Sequence, residues 1–217
     1  MRALRVLLII LIAGWALLVV FAAAYVFHWF RERYGRGGPM PFKDAGHLLH
    51  PLRPWIHPVR STVERFHLGP GDTVLELGPG PGYFSAEASR MVDPEGRLLC
   101  LDVQAPMVGA LRQRLEEQGI ANAHPMVGDA MHLPLADDSL DAAFLVAVLG
   151  EIPDRPKALI ELRRVLKPGG VLSIMEHLTD PHYQLEDAVR DICRASGFNV
   201  LDHSHQRLGF TMSFAAP

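Results

Sequence analysis

The stretch Val74-Leu75-Glu76-Leu77-Gly78-Pro79-Gly80-Pro81-Gly82-Tyr83-Phe84 constrains this chain more than any other. It begins as a short apolar run bounded by Gly71-Asp72, which reads as a buried strand. It then breaks into alternating glycine and proline. Glycine reaches dihedrals closed to other residues and lets a ligand approach the backbone. The prolines stiffen the loop, and Pro81 or Gly82 suits the start of a helix running to about Met91. A strand, a tight glycine loop and a helix make a nucleotide-type site at the carboxyl end of a parallel strand.

The spacing narrows the nucleotide. The dinucleotide fingerprint is G-x-G-x-x-G, whereas here the glycines stand at 78, 80 and 82 behind an acidic Glu76, and no Gly-Lys-Ser/Thr follows. This E-x-G-x-G-x-G pattern resembles the first motif of the class I S-adenosylmethionine (SAM) methyltransferases. Arg97 to Leu101 reads as a second strand ending in Asp102, an acid that can accept bonds from both ribose hydroxyls or cap the helix expected over about 106–118. His124 to Val127 is a third strand, and Pro125 within it implies a sheet edge. Asp129-Ala130 follows, resembling the family's adenine contact; a loop-capping Asp would look the same. Leu133-Pro134-Leu135-Ala136-Asp137-Asp138-Ser139-Leu140-Asp141, ahead of the strand Ala142 to Val146, is similar to the group that includes the ubiquinone and menaquinone C-methyltransferases. So is the helix end Glu161 to Lys167, followed by Pro168-Gly169-Gly170 and the strand Val171 to Met175.

The resemblance covers about 59–217. It implies an α/β fold, a Rossmann-like seven-stranded sheet in the order 3-2-1-4-5-7-6 with strand 7 antiparallel, ending in a hairpin near 199–214. Five strands alternating with helices point to a parallel α/β sheet even without the family. The resemblance also implies SAM as cofactor, held by Glu76, Gly78, Pro79, Gly80, Gly82, Asp102, Val103, Asp129, Ala130 and Val146. Methyl transfer is an in-line displacement in which alignment does much of the work, and a base is needed only if the acceptor must lose a proton. Glu151 and His177 are the candidates, with Glu176, His182 and Tyr183 nearby. Each fits a loop or capping role as well. His177 is preferred because an imidazole titrates near neutrality.

The front of the chain is different. From Val6 to Phe30 there is no Asp, Glu, Lys or Arg, and a helix of that length matches a hydrocarbon layer of about 30 Å. Trp15, Tyr25, Trp29 and Phe30 suit the interface. A cleavable signal peptide has a shorter apolar core, although Ala22-Ala23-Ala24 resembles a cleavage site. Arg31, Arg33, Arg36 and Lys43 follow the span against Arg2 and Arg5 before it, which puts the main domain in the cytoplasm. The expected organisation is an anchor over 1–33, a Pro/Gly/His-rich linker over 34–58 with a hinge at Gly35 to Pro41, and a methyltransferase domain over 59–217. Leu48, Leu49, Leu52, Trp55 and Ile56, with Arg53 beside them, are candidates for an apolar entrance.

Residues 1–60 hold eight Lys/Arg and two Asp/Glu, so of the chain's −3 the remainder carries −9. An acidic domain is a poor match for phosphate backbones, so no nucleic-acid partner is expected. His47, His50 and His57 lack a shared helical face and an acidic or cysteine companion, and no metal is expected there. Cys100 and Cys193 read as reduced and structural. The function expected is a membrane-tethered SAM methyltransferase acting on a small, lipophilic acceptor (quinone-, lipid- or thiol-like). The alternatives are a SAM-binding regulatory module and a nicotinamide-dependent oxidoreductase. The oligomeric state is left open.

Overall fold

A computed structural model describes residues 2–34, 38–50 and 53–217, with side chains left out at 2–10, 28–34, 47 and 56. The chain divides into two compact units, Met1–Arg36 and Gly37–Pro217. The first contains helix α1, Arg2–Tyr34. Its described side chains, from Leu11 to Phe27, are all exposed, Trp15 at 73% and Phe21 at 71% among them. Among the described residues no helix is long and apolar enough to cross a membrane, so the expected span is not met there. The flanking Arg31, Arg33 and Arg36, the hinge residues 35–37, and Pro51 and Leu52 lie outside the described side chains or residues.

The second unit opens with a 3₁₀ stretch, Phe42–Leu49, then α2 (Arg53–Ile56) and α3 (Val59–Val63). There follow β1 (Thr73–Leu77), α4 (Ser85–Val92), β2 (Arg97–Asp102), α5 (Ala105–Glu117), β3 (Ala123–Val127) and β4 (Leu140–Val146). A 3₁₀ turn, Leu149–Glu151, leads to α6 (Arg155–Val165), β5 (Leu166–His177), α7 (Glu186–Ala195), β6 (Asn199–Gln206) and β7 (Gly209–Ala215). The seven strands form one sheet in the order β3-β2-β1-β4-β5-β7-β6, as the resemblance implies. β1 to β5 pair in parallel, and β7 runs antiparallel to both neighbours. Pro125 does stand in an edge strand.

Strand alternation sorts the side chains onto two faces. Leu75, Leu77, Leu101, Leu145 and Ile174 pack with Leu159, Leu162, Val189 and Cys193 of α6 and α7. Val74, Leu98, Cys100 and Phe144 pack on the other face with Val63, Phe66, Leu111 and Leu115. Phe66 stacks on Phe144 with ring centres 4.7 Å apart. Glu76 falls on this second, apolar face and is 3% exposed.

Two boundaries differ from expectation. The helix after the glycine loop starts at Ser85, because Gly78, Gly80 and Gly82 have φ of 70°, 54° and 85°, outside the helical region. β5 starts at Leu166 rather than Val171. Leu140 pairs with Leu166, the register shifts, and the ladder resumes at Ala142 with Val171.

The motifs around 133–141 and 161–167 prove to be a latch at the amino ends of the strands. Arg164 donates to Asp137 (2.6 Å), Glu161 (2.8 Å), and the carbonyls of Leu133 (3.0 Å) and Leu135 (2.9 Å). Asp141 accepts from the Thr73 N–H at 2.9 Å and from Lys167 at 2.5 Å, tying β4 to β1 and β5.

Candidate active site

The sheet order reverses between β1 and β4, which leaves a crevice at the carboxyl ends of the strands. A cavity of about 290 Å³ lies there. It is lined by Glu76, Gly78, Pro79, Gly80, Asp102, Val103, Asp129, Ala130, Val146, Glu151 and His177, so the fold brings together both preferred base candidates and all but one of the expected cofactor residues, while Glu176, His182 and Tyr183 are not part of the lining. Among the cofactor residues the exception is Gly82. A Cβ on Gly82 would meet the Leu111 side chain and would lie 3.4 Å from Ser85 Oγ, so this glycine serves loop-to-helix packing.

Backbone geometry explains the other glycines. At Gly78 a Cβ would stand 2.5 Å from Val148 Cγ2, and at Gly80 it would stand 3.2 Å from Leu48 Cδ1. Asp102 sits at the tip of β2. Its two carboxylate oxygens accept from the N–H groups of Gly80 (3.2 Å) and Gln104 (2.8 Å), and this orients it across the glycine loop. Burial raises its pKa, against those two bonds. Asp129 is partly committed elsewhere, since it accepts from the Met131 N–H at 2.9 Å. Glu76 accepts a 2.5 Å bond from Ser85 Oγ, with Cys100 Sγ at 3.7 Å. Burial drives its pKa up to about 7, a rise that the Ser85 bond opposes.

The other half of the cavity is built by the segment before β1 and the loops after β4 and β5. Leu48 and Arg53 line it. The Arg53 guanidinium donates to the Leu48 carbonyl at 2.5 Å and lies 4.2 Å from the Tyr83 ring centre. Tyr83 in turn donates to the His57 carbonyl at 2.8 Å, and Gln104 Nε2 donates to the Met40 carbonyl at 2.9 Å. Of the other entrance candidates, Trp55 is 87% exposed and Leu49 is exposed, and neither lines the cavity. The side chains of Leu52 and Ile56 lie outside those described.

Burial corrects the argument for His177. Its ring packs 4.3 Å from that of His57, and its Nδ1 lies 2.9 Å from Thr179 Oγ1. Burial, with His57 and Arg53 adding to it, lowers its pKa to about 3. His57 falls to about 4 by burial and the Arg53 charge. Both imidazoles are therefore neutral at pH 7, and His177 is a weaker base than a solvent-exposed histidine. Glu151 moves the other way. Burial first, and the Asp180 carboxylate next, raise it to about 8, against a backbone bond from Met40. Glu176 also rises to about 8 through burial, accepts from the Gln184 N–H at 3.2 Å, and keeps a buried oxygen without a hydrogen-bond partner.

Sequence reasoning missed Asp180, which lines the cavity, and treated His57 only as a metal candidate. The one available signal was Asp180-Pro181 in the loop after β5, where function often sits.

The residues fit a nucleoside bearing a sulfonium. The glycine loop brings its backbone to the cavity wall at Gly78 and Gly80, a carboxylate is aligned at the β2 tip, and Arg53 lines the same cavity with Glu151 and Asp180. Comparison with known proteins agrees. A family model described as "Methyltransferase domain" matches residues 75–174. The chain is 35% identical over 133 residues to the ubiquinone/menaquinone biosynthesis C-methyltransferase UbiE of Vibrio campbellii, over 59% of this chain and 51% of that one. It thus spans about half the length of the curated relatives it matches. Among solved structures, a SAM-dependent methyltransferase from Aquifex aeolicus superposes with a TM-score of 0.78 at 24% identity, covering 82% of this chain and all of that one. The [4+2]-cyclase SpnF superposes at 0.65 with 22% identity, over 74% of this chain and 80% of its own. Residues 75–174 thus carry the likeness to a methyltransferase domain, and the sheet has the fold of the solved SAM-dependent methyltransferase.

Proposed function

We propose that the chain transfers a methyl group from SAM to a small, lipophilic acceptor, and that residues 6–30 tether it to a membrane. The observation that carries the reading is one cavity lined by the glycine loop and Asp102 together with Arg53, Glu151, His177 and Asp180. In it, Asp102 holds the ribose hydroxyls, Asp129 and Ala130 the adenine edge, and Gly78 to Gly80 give backbone access. When bound, SAM supplies a methyl carbon activated by the positive charge on sulfur.

The chain's own residues then have three tasks. Tyr83, Leu48 and Met40 exclude water from the acceptor side. Arg53 meets a polar oxygen of the acceptor. Glu151 loses its proton more readily once the cavity holds a cation, and the resulting carboxylate takes the acceptor's proton as the new bond to carbon or sulfur forms. His177, held neutral, positions the acceptor. A quinone-like ring fits the names of the curated relatives, and an arginine beside an apolar pocket suits its oxygens. The test is incubation of the protein with tritiated SAM and native membrane lipids, followed by identification of the labelled product. Glu151→Gln should lower kcat by roughly 100-fold and remove the ascending limb of its pH profile. An unchanged rate and profile would discard Glu151 as the base.

For the tether, support comes from the uncharged stretch 6–30 and the exposed Leu11 to Phe27. The exposed Trp55, beside the segment that lines the cavity, suits a lipid interface. The expected orientation is cytoplasmic. A chain starting at Gly37 should keep its turnover of a water-soluble acceptor and lose turnover of one dissolved in liposomes. Equal liposome turnover by both chains would reject the tether's role. The second reading is SAM binding without methyl turnover, and absence of any labelled product alongside measurable SAM affinity would favour it.

A further inference from the structure

We propose that Glu186, His203 and His205 form a site for one borderline divalent cation of the zinc class, joining α7 to the edge strand β6. None of the three lines the cavity described above. Residues 203 and 205 are two apart on a strand, so their side chains leave the same face. Their rings stand 4.4 Å apart between centres. Both Nε2 atoms approach one carboxylate oxygen, Glu186 Oε2, His205 at 3.0 Å and His203 at 3.4 Å. The three candidate ligand atoms all lie within 4.8 Å of one another. For arms of about 2.0–2.1 Å, the edge of a tetrahedron is about 3.3 Å, so these two approaches match ligand-to-ligand separations around such an ion.

The surroundings are those of a held site. The other oxygen of Glu186 accepts from Arg190 at 2.6 Å, which fixes the carboxylate in the manner of an outer-shell partner. His203 packs edge-on to Phe210 at 6.2 Å, and its Nε2 is buried without a hydrogen bond. His205 is mostly exposed, so the remaining coordination positions open to solvent. Two imidazoles and a carboxylate suit zinc, nickel or copper rather than magnesium or calcium. Because the ligands come from a helix start and from an edge strand, the ion would staple the C-terminal hairpin to α7.

The same distances suit a proton shared between imidazole and carboxylate, and the experiment separates the two. Full-length protein, stripped with a chelator and held in mild detergent near neutral pH, is titrated with Zn²⁺ by calorimetry and melted with and without it. One equivalent should bind and raise Tm, and EDTA should reverse both. His203→Asn and His205→Gln should each weaken Zn²⁺ by more than the roughly 10- to 100-fold cost of losing an outer-shell partner. His124→Asn, on exposed β3, should change nothing, and SAM affinity should be the same in every variant, which reports that each is folded. Absence of Zn²⁺ binding by the parent protein, or unchanged affinity in both histidine variants, overturns the proposal.

Discussion

At the amino ends of the parallel strands, acidic side chains are matched to cations. At the carboxyl ends they are buried against hydroxyls, backbone N–H groups and one another. Glu161 is held below its ordinary range by its bond to Arg164, and Asp141 is held low by Lys167 and the Thr73 N–H despite partial burial. Glu76, Glu151 and Glu176 are pushed up to about 7, 8 and 8, with burial the largest cause in each. One end of the sheet therefore spends its acids on holding strands together. The other carries acids in a state that a cation entering the cavity would relieve. Perturbed carboxylates gathered in a cleft are what a functional site requires, and they cost stability to keep.

Breaking the carboxyl end should have the largest effect, on binding rather than folding. Asp102→Ala removes the acceptor of two ribose bonds at roughly 1.5–3 kcal/mol each. Calorimetry should show SAM affinity falling about 100-fold with the circular dichroism unchanged, and equal affinity would remove Asp102 from the site. Breaking the amino end should do the reverse. Arg164→Ala strips the latch of its donor to Asp137, Glu161 and two carbonyls. Partial exposure discounts those bonds, so a loss of roughly 2 kcal/mol in urea unfolding with unaltered SAM affinity is expected. A variant that unfolds normally but fails to bind would show that the two ends are not separable.

The pH dependence should sharpen the contrast. An acid whose folded pKa is raised binds more protons folded than unfolded, so stability falls as pH rises from the unfolded value through the folded one. For Glu76 that window runs from about 4.5 to about 7. Asp141 and Glu161 have the opposite sign: their contribution is present above the unfolded pKa and fades as pH drops through the folded one. Melting temperature should thus decline between pH 5 and 8 by this contribution, and Glu76→Gln should flatten the decline. A slope identical to that of the parent protein would remove Glu76 as its source. The smallest effect belongs to Gly82→Ala, which crowds Leu111 outside the cavity. It should lower Tm by a few degrees and leave SAM affinity within about twofold of the parent, and a large affinity loss would return Gly82 to the binding loop.

The cofactor half was legible in the sequence because it is made of local backbone requirements. Glycines at 78 and 80 and an acid at a strand tip are readable wherever they occur. Strand order was legible through the family resemblance and the strand–helix alternation, and Pro125 alone implied an edge. The acceptor half resisted because it is assembled from afar. Arg53, Glu151 and Asp180 share no spacing, and only the fold brings them to one cavity. His177 illustrates a second limit, since its position was readable but its pKa depends on neighbours that sequence does not supply. The motifs over 133–141 and 161–167 were good evidence of kinship, yet their side chains serve the latch, so strength of resemblance and nearness to chemistry are separate properties.

The 3₁₀ stretch Phe42–Leu49 and α2 also have a temporal consequence. Leu48 lies against Gly80, its carbonyl is bonded to Arg53, and Met40 is fastened by Gln104. A swing of this segment would widen the way out for the spent cofactor, and such gating motions commonly set turnover. The rhythm of the enzyme should then follow the parting of Arg53 from Leu48. A rapid first turnover followed by a slower steady rate, with Gln104→Ala quickening only the slow phase, is the signature to look for in quenched-flow traces.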